Sequence, residues 1–207
     1  MDRTQLSEMI RIQGNIHRSI SVACSGGVDS MAVVDFLSRN HDVQVLFFHH
    51  GTKTSEDSRE FLLDYCAKKN LRIRTASIQN KKKPNDLSQE EHWRNERYSF
   101  FHSVNGPVIT CHHLNDCVET WIFSCLHGEG KIIPYNHKNV IRPFRLTKKK
   151  EFVRWCEKNE LQWVEDSSND DTRYMRNLIR QEMMPLVERV NPGIEKTVAR
   201  RVENDAP

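Results

Sequence analysis

Residues 19–38 read SISVACSGGVDSMAVVDFLS, and this stretch decides the fold. Apolar residues over 19–24 give a short strand, and the apolar spacing over 29–38 gives a helix. Between them lies the turn Ser25, Gly26, Gly27, Val28, Asp29, Ser30. Paired glycines let the backbone come close to a ligand, and the N–H groups at the positive end of the following helix favour an anion. Phosphate is the natural guest. Ser25 and Ser30 supply hydroxyls, and Asp29 either orients them or holds a magnesium ion that bridges phosphate oxygens. A Walker-type loop needs four residues between its glycines and a Gly-Lys-Ser/Thr ending whose lysine reaches the terminal phosphates. This loop has neither. The plainer alternative is a tight turn without a ligand, and the position after a strand and before a helix favours the anion site.

Outward from this unit the pattern repeats. Strands are predicted over 43–49, 72–77 and 108–111, and helices over 55–69, 88–103 and 114–126. Strands alternating with helices imply an α/β fold, a parallel sheet with helices on both faces. After Gly128 and Gly130 the texture changes. Residues 131–140 read as a connection and 141–144 as a last strand, before helices over 147–159 and 172–190. Pro185 is expected to kink or end the last of these near Met184. Disorder is expected over 204–207. The organisation expected is a nucleotide-binding domain over 1–145 and a short helical C-terminal segment over 146–207 that completes the site.

The chain of 207 residues is long enough for one such domain with a small appendage. No apolar run approaches the roughly 20 residues of a membrane span, and Asp2, Arg3 and Glu8 interrupt any N-terminal leader pattern. A soluble cytoplasmic protein with no membrane partner is the expectation. The six cysteines are scattered without a CxxC pair, which fits reduced, mostly buried thiols. A net charge of +3 does not announce a nucleic-acid partner by itself. Its distribution says more, because Lys81 to Lys83, Lys148 to Lys150 and the series Arg173, Arg176, Arg180 are concentrated positive segments.

The loop SGGVDS resembles the signature of the PP-loop ATP pyrophosphatases, which grip the β and γ phosphates of ATP and cleave between α and β. Three further stretches narrow the resemblance. Residues 111–130, CHHLNDCVETWIFSCLHGEG, are similar to a His-His-Leu-Asp-Asp-Gln-Val-Glu-Thr segment followed by a glycine-punctuated turn. Residues 92–98, HWRNERY, resemble Ala-Arg-x-x-Arg-Tyr, and residues 164–180, VEDSSNDDTRYMRNLIR, resemble Glu-Asp-x-Ser-Asn followed by Arg-Asn-x-x-Arg. In this order they resemble the tRNA(Ile)-lysidine synthetases over nearly the whole chain.

That resemblance implies an adenine nucleotide alpha hydrolase-like, Rossmann-like fold and a two-step chemistry. ATP adenylates the C2 oxygen of the wobble cytidine in an isoleucine tRNA with a CAU anticodon, and the ε-amine of free lysine then attacks C2. Lysidine, AMP and pyrophosphate result. The implied ATP site is Ser25, Gly26, Gly27, Val28, Asp29 and Ser30, with His50 bordering the adenine. The implied catalytic set is Asp29, Asp116, Glu119, Arg176 and Arg180, with Asp29 and Asp116 as magnesium ligands. For tRNA or base contact the resemblance implies Arg94, Arg97, His112, His113, Asp166, Asn169, Arg173 and Asn177.

Physical reasoning supports several of these beside plainer readings. Asp116 and Glu119 are three apart, so on a helix they share a face and can present two carboxylates to one cation, magnesium or the lysine ammonium. The plainer reading is a solvated helix start capped by Asn115 or Asp116. His112 and His113 end a predicted strand, where ligands of open α/β sheets collect. Arg94 stands four from Glu90, an ordinary intrahelical pair. Arg173, Arg176 and Arg180 make a basic stripe suited to a phosphate backbone, or simply a charged surface helix. Trp93, Trp121, Trp155 and Trp163 are read as core.

The chain also departs from the family pattern. Asn115 replaces the first aspartate of the Asp-Asp pair, and His127 and Glu129 replace the arginine and serine of an Arg-Gly-Ser-Gly turn. Longer family members carry further C-terminal domains, so the expectation is a short form that holds tRNA through its core or as a homodimer, in a weaker and salt-sensitive complex. Two other readings stay open: a tRNA thiolase of the same superfamily, and a non-catalytic module that binds ATP and tRNA.

Overall fold

The computed structural model describes residues 10–79, 84–165 and 175–205. One sheet organises them, with strands β1 (Ser19–Ala23), β2 (Asp42–His49), β3 (Arg72–Ser77), β4 (Val108–Ile109), β5 (Asn136–His137) and β6 (Val140–Ile141). Their order is β3-β2-β1-β4-β6-β5. All pairs are parallel except β5 with β6. The chain winds outward from β1 to β3, then crosses back to place β4 on the other side of β1. The winding reverses between β1 and β4, and in such sheets ligands bind outside the carboxyl ends of the strands at that point.

Helices α1 (Val28–Ser38), α2 (Lys53–Lys69), α3 (Gln89–His102), α4 (Leu114–Leu126) and α5 (Lys149–Lys158) cover the sheet. Local chemistry sets their ends. Thr52 caps α2 by accepting the Ser55 N–H, and Asn70 closes it in the left-handed region at φ 53°. Ser88 and Glu91 form a reciprocal capping box at the start of α3. By contrast, α1 starts at Gly27 with no side-chain cap, so its first N–H groups are left to another partner.

Helices pack on both faces, as expected. Met31, Val33 and Leu37 of α1 share one core with Val22, Val45 and Ile109 of the sheet and with Phe152 and Cys156 of α5. On a second cluster, Tyr98, Phe100 and Phe101 of α3 meet Leu46, Phe48 and Val108. A third joins Cys117, Val118 and Ile122 of α4 to the C-terminal helices. Those are α6 (Met175–Leu178), a π-helical turn (Ile179–Met183), α7 (Met184–Val190) and α8 (Ile194–Asn204).

Several elements differ from the sequence expectation. The last parallel strand is Val140–Ile141 rather than 141–144, because Pro143 has no N–H to continue the ladder. The connection over 131–140 contains β5, which turns back on β6 through Lys138 at φ 54°. Pro185 does not end its helix; the chain passes through the π turn and continues as α7. Beyond it α8 reaches Asn204, and the Asp205 carboxylate after it receives the fully buried Arg145 guanidinium at 2.6 Å and the Tyr135 N–H at 2.9 Å. Among the described residues no helix is long and apolar enough to cross a membrane.

Candidate active site

The turn after β1 lies at the switch point, and its internal bonds shape a cradle. Ser30 Oγ donates to Gly27 O at 2.9 Å and accepts the Ser25 N–H at 3.2 Å, while the Gly27 N–H points to Ser25 Oγ at 3.4 Å. Gly26 has φ +86°, a conformation that L side chains rarely adopt, and Ser58 of α2 stands 3.5 Å from where its Cβ would be. The Gly26 carbonyl accepts the N–H of Val164 at 2.9 Å, which ties the turn to the stretch after α5. The two hydroxyls therefore shape the loop, and the uncapped start of α1 faces outward with the dipole's positive end.

The turn after β4 approaches from the other side. His113 is the N-cap of α4: its Nδ1 accepts the Asp116 N–H at 3.2 Å, and Asp116 Oδ2 accepts the His113 N–H at 2.9 Å. The capping expected of Asn115 or Asp116 thus falls to His113, with Asp116 as its reciprocal partner. The other ring nitrogen, Nε2, lies 3.6 Å from Asp29 Oδ2. Burial works against a charged His113, but the Asp116 and Asp29 carboxylates outweigh it and raise its pKa above the ordinary histidine value. Burial likewise pushes Asp116 up, and His113 with His112 and Arg180 holds it below the usual carboxylate range.

Arg180 completes the line of charges. Its Nε and Nη2 donate to Glu119 at 2.7 and 2.9 Å, and Nη2 lies 3.6 Å from Asp116 Oδ1. Hydrogen bonding to Glu119 raises the arginine pKa further, so the guanidinium keeps its charge. Asp116 and Glu119 do share a face, and among the described residues the cation they share is this guanidinium. Asp29, His113, Asp116, Arg180 and Glu119 form one continuous network from the glycine turn to the C-terminal helices.

A magnesium ion fits one end of it. Asp29 Oδ1 is buried with no hydrogen-bond partner among the described residues, a hard oxygen ready for a hard cation. No group of three or more His, Cys, Asp or Glu able to hold a metal occurs among the described residues. Asp29, with Asp116 nearby, suits an ion that takes its remaining ligands from phosphate and water.

Beside the network opens a cleft of about 1040 Å³ between α3, α4 and the 131–142 segment. Arg94, Tyr98, His102, His112, Arg142 and Arg176 line it. Burial pushes His112 down to about 3, so it is neutral at pH 7, and its Nδ1 pairs with Thr110 Oγ1 at 2.9 Å. Arg94 lies over the Tyr98 ring at 4.7 Å, while Glu90 faces Arg176 at 3.9 Å instead of pairing with Arg94 as its spacing suggests. Burial lowers the Arg97 pKa, with the Arg94 and Arg176 charges adding to it, so these three cations are clustered.

His50 follows β2 with its ring 5.4 Å from Trp93 and its N–H on Ser55 Oγ, and Asn177 is buried on α6. Asp166, Asn169 and Arg173 lie outside the described residues. Asn115 stands apart from the charge line: its Oδ1 accepts the Lys149 N–H at 3.0 Å and its Nδ2 donates to Glu195 of α8 at 3.3 Å. Sequence reading did not single out Tyr98, His102 and Arg142 as cleft residues: Tyr98 closes the Ala-Arg-x-x-Arg-Tyr-like stretch, while His102 and Arg142 follow no motif spacing.

The family model of the PP-loop domain matches residues 2–187. The tRNA(Ile)-lysidine synthase of Thermosipho africanus is 34% identical over 205 residues, 89% of this chain and 47% of that protein. That of Francisella philomiragia is 28% identical over 216 residues, 97% of this chain and 53% of that protein. The chain spans about half the length of the curated relatives it matches. Among solved structures, an NH3-dependent NAD synthetase from Campylobacter jejuni is similar with a TM-score of 0.53 and 15% identity, over 92% of this chain and 86% of that one. This last likeness speaks to the fold alone.

Proposed function

This chain belongs to the PP-loop domain family, and from that premise we propose that it ligates free lysine to C2 of the wobble cytidine in a CAU-anticodon isoleucine tRNA. ATP is consumed to AMP and pyrophosphate, and the tRNA substrate places the reaction in the cytoplasm. The observation that carries this reading is the continuous line from Asp29 through His113 and Asp116 to Arg180 and Glu119, set between an anion cradle and a basic cleft.

The cradle takes the β and γ phosphates on the uncapped N–H groups of α1. The C2 oxygen of cytidine, entering through the cleft, attacks the α phosphorus, and the bond to the β-phosphate oxygen breaks as pyrophosphate leaves. His113, with Nδ1 accepting the Asp116 N–H, presents Nε2 between Asp29 and the proposed position of the reacting phosphate. Magnesium, when bound at Asp29, neutralises phosphate charge. The lysine amine then attacks C2, the C2–O bond breaks, AMP leaves, and the surplus proton leaves the new nitrogen. We assign the incoming lysine to Asp116, which meets Arg180 only at 3.6 Å while Glu119 is doubly bonded to it; the ε-ammonium gives one proton to water before the free amine attacks.

The cysteines favour this reading over thiolation. Burial raises Cys111 well above the ordinary thiol range and pushes Cys117 up to about 12, which suits packing rather than persulfide chemistry. The deciding experiment incubates the protein with ATP, magnesium, lysine and the CAU tRNA and weighs the nucleosides by mass spectrometry. A lysine-dependent mass gain on cytidine supports the proposal. A sulfur-sized gain points to a thiolase, and ATP binding without product points to a non-catalytic module.

A further inference from the structure

Helix α6, the π turn and α7 form one rod from Met175 to Val190, and its register changes in the middle. The Met184 N–H donates to Ile179 O, five residues back. Pro185 comes next and has no N–H to donate. In an α-helix its ring also presses on the carbonyl four residues back, that of Gln181. A turn closed at five residues widens the rod there and removes the pressure.

The wider turn also reconciles two anchors. Ile179 and Met184 both sit in the cluster with Cys117, Val118 and Ile122 of α4. Five residues along an α-helix lie about 140° apart round the axis, whereas a π turn stacks them. Arg180 is inside this turn, aimed back at Glu119 and Asp116.

We infer that Pro185 is a positioning residue: by withholding an N–H it holds open the π turn that keeps Arg180 on the Glu119 and Asp116 carboxylates while α7 stays docked. The inference rests on the proposed function only in giving that arginine a part in the reaction.

Its test begins with stability. Arg180→Met and Glu119→Gln are made singly and together, in the native chain and in Pro185→Ala, and each set is unfolded in urea. The native chain shows coupling between the two sites. Pro185→Ala lets the rod close as an α-helix, and with Met184 held in the core the residues before it swing by about 100°, so the coupling disappears. Deleting the exposed Glu182 as well removes the surplus residue, puts Ile179 and Met184 four apart on one α-helical face, and brings the coupling back. Turnover follows the same order: kcat falls by at least about 100-fold in Pro185→Ala, since a displacement of about an ångström already costs that much and the swing is larger, with KM for ATP little changed, and recovers with the deletion.

Coupling that survives Pro185→Ala, or a loss that the deletion does not repair, overturns the inference. If Pro185→Ala alone fails to fold, the doubly altered chain decides, since native-like coupling in it supports the inference and failure to fold overturns it. If the native chain makes no lysidine, the unfolding cycles still judge the role of Pro185, so the two failures are distinguishable.

Discussion

Asn115 uses both ends of its carboxamide, one on the Lys149 N–H of α5 and one on Glu195 of α8. An aspartate here has no N–H for Glu195 and sets two carboxylates against each other. Asn115→Asp is therefore expected to cost about 1–2 kcal/mol, with Glu195→Gln restoring most of it in urea unfolding. Asp29→Asn is expected to abolish turnover while leaving the melting temperature nearly unchanged, since the amide keeps the shape beside His113 and removes only the charge. His112 gives a pH signature. Its folded pKa is depressed to about 3, so the stability it contributes is present above the ordinary histidine value and is lost as pH falls toward 3. The loss is about 1.4 kcal/mol per pH unit across that window, and His112→Gln removes this part of the slope in unfolding titrations at pH 4, 5 and 7. The glycine turn and the strand end that the structure brings together were legible in the sequence, because such features announce themselves locally. The partners were not: nothing in local spacing joins Glu119 to Arg180 instead of to a metal or an amine.

At the scale of elements, legibility followed period and length. Helices α1 to α4 and strands β1 to β3 carry clear apolar periodicity, and each was placed within a few residues. The two-residue β5 has no alternation to read, and both of its residues are exposed. Helix α8 is mostly polar, with Ile194, Val198 and Val202 its buried stripe at intervals of four, and it follows an Asn-Pro-Gly sequence that reads as a stop. Its anchoring is specific. Asp205 accepts a hydrogen bond from an arginine with no exposed surface, so Asp205→Ala leaves a buried charge with fewer partners and is expected to cost about 3 kcal/mol. Urea unfolding measures it, and a loss below about 1 kcal/mol is what an ordinary surface pair gives.

For the whole molecule, the reversal of winding beside β1 gathers residues from positions 25 to 180 at one edge of the sheet, while the cleft next to it presents cations from α3, α6 and the 131–142 segment. No single stretch of sequence displays that sum, which is why a net charge of +3 was uninformative. If the cleft carries RNA phosphates, affinity falls linearly with the logarithm of salt concentration. Replacing Arg94 or Lys138, both exposed cleft residues, with glutamine lowers that slope by about 1 each and weakens binding to unrelated RNAs equally. An unchanged slope removes those side chains from the path of the backbone.

One amide, that of Val164, grips the carbonyl of Gly26. Through it the glycine turn after β1 and the stretch after α5 are fastened together, so a shift of one is felt by the other. If the turn takes a triphosphate as proposed, its occupancy is expected to slow hydrogen exchange at the Val164 amide.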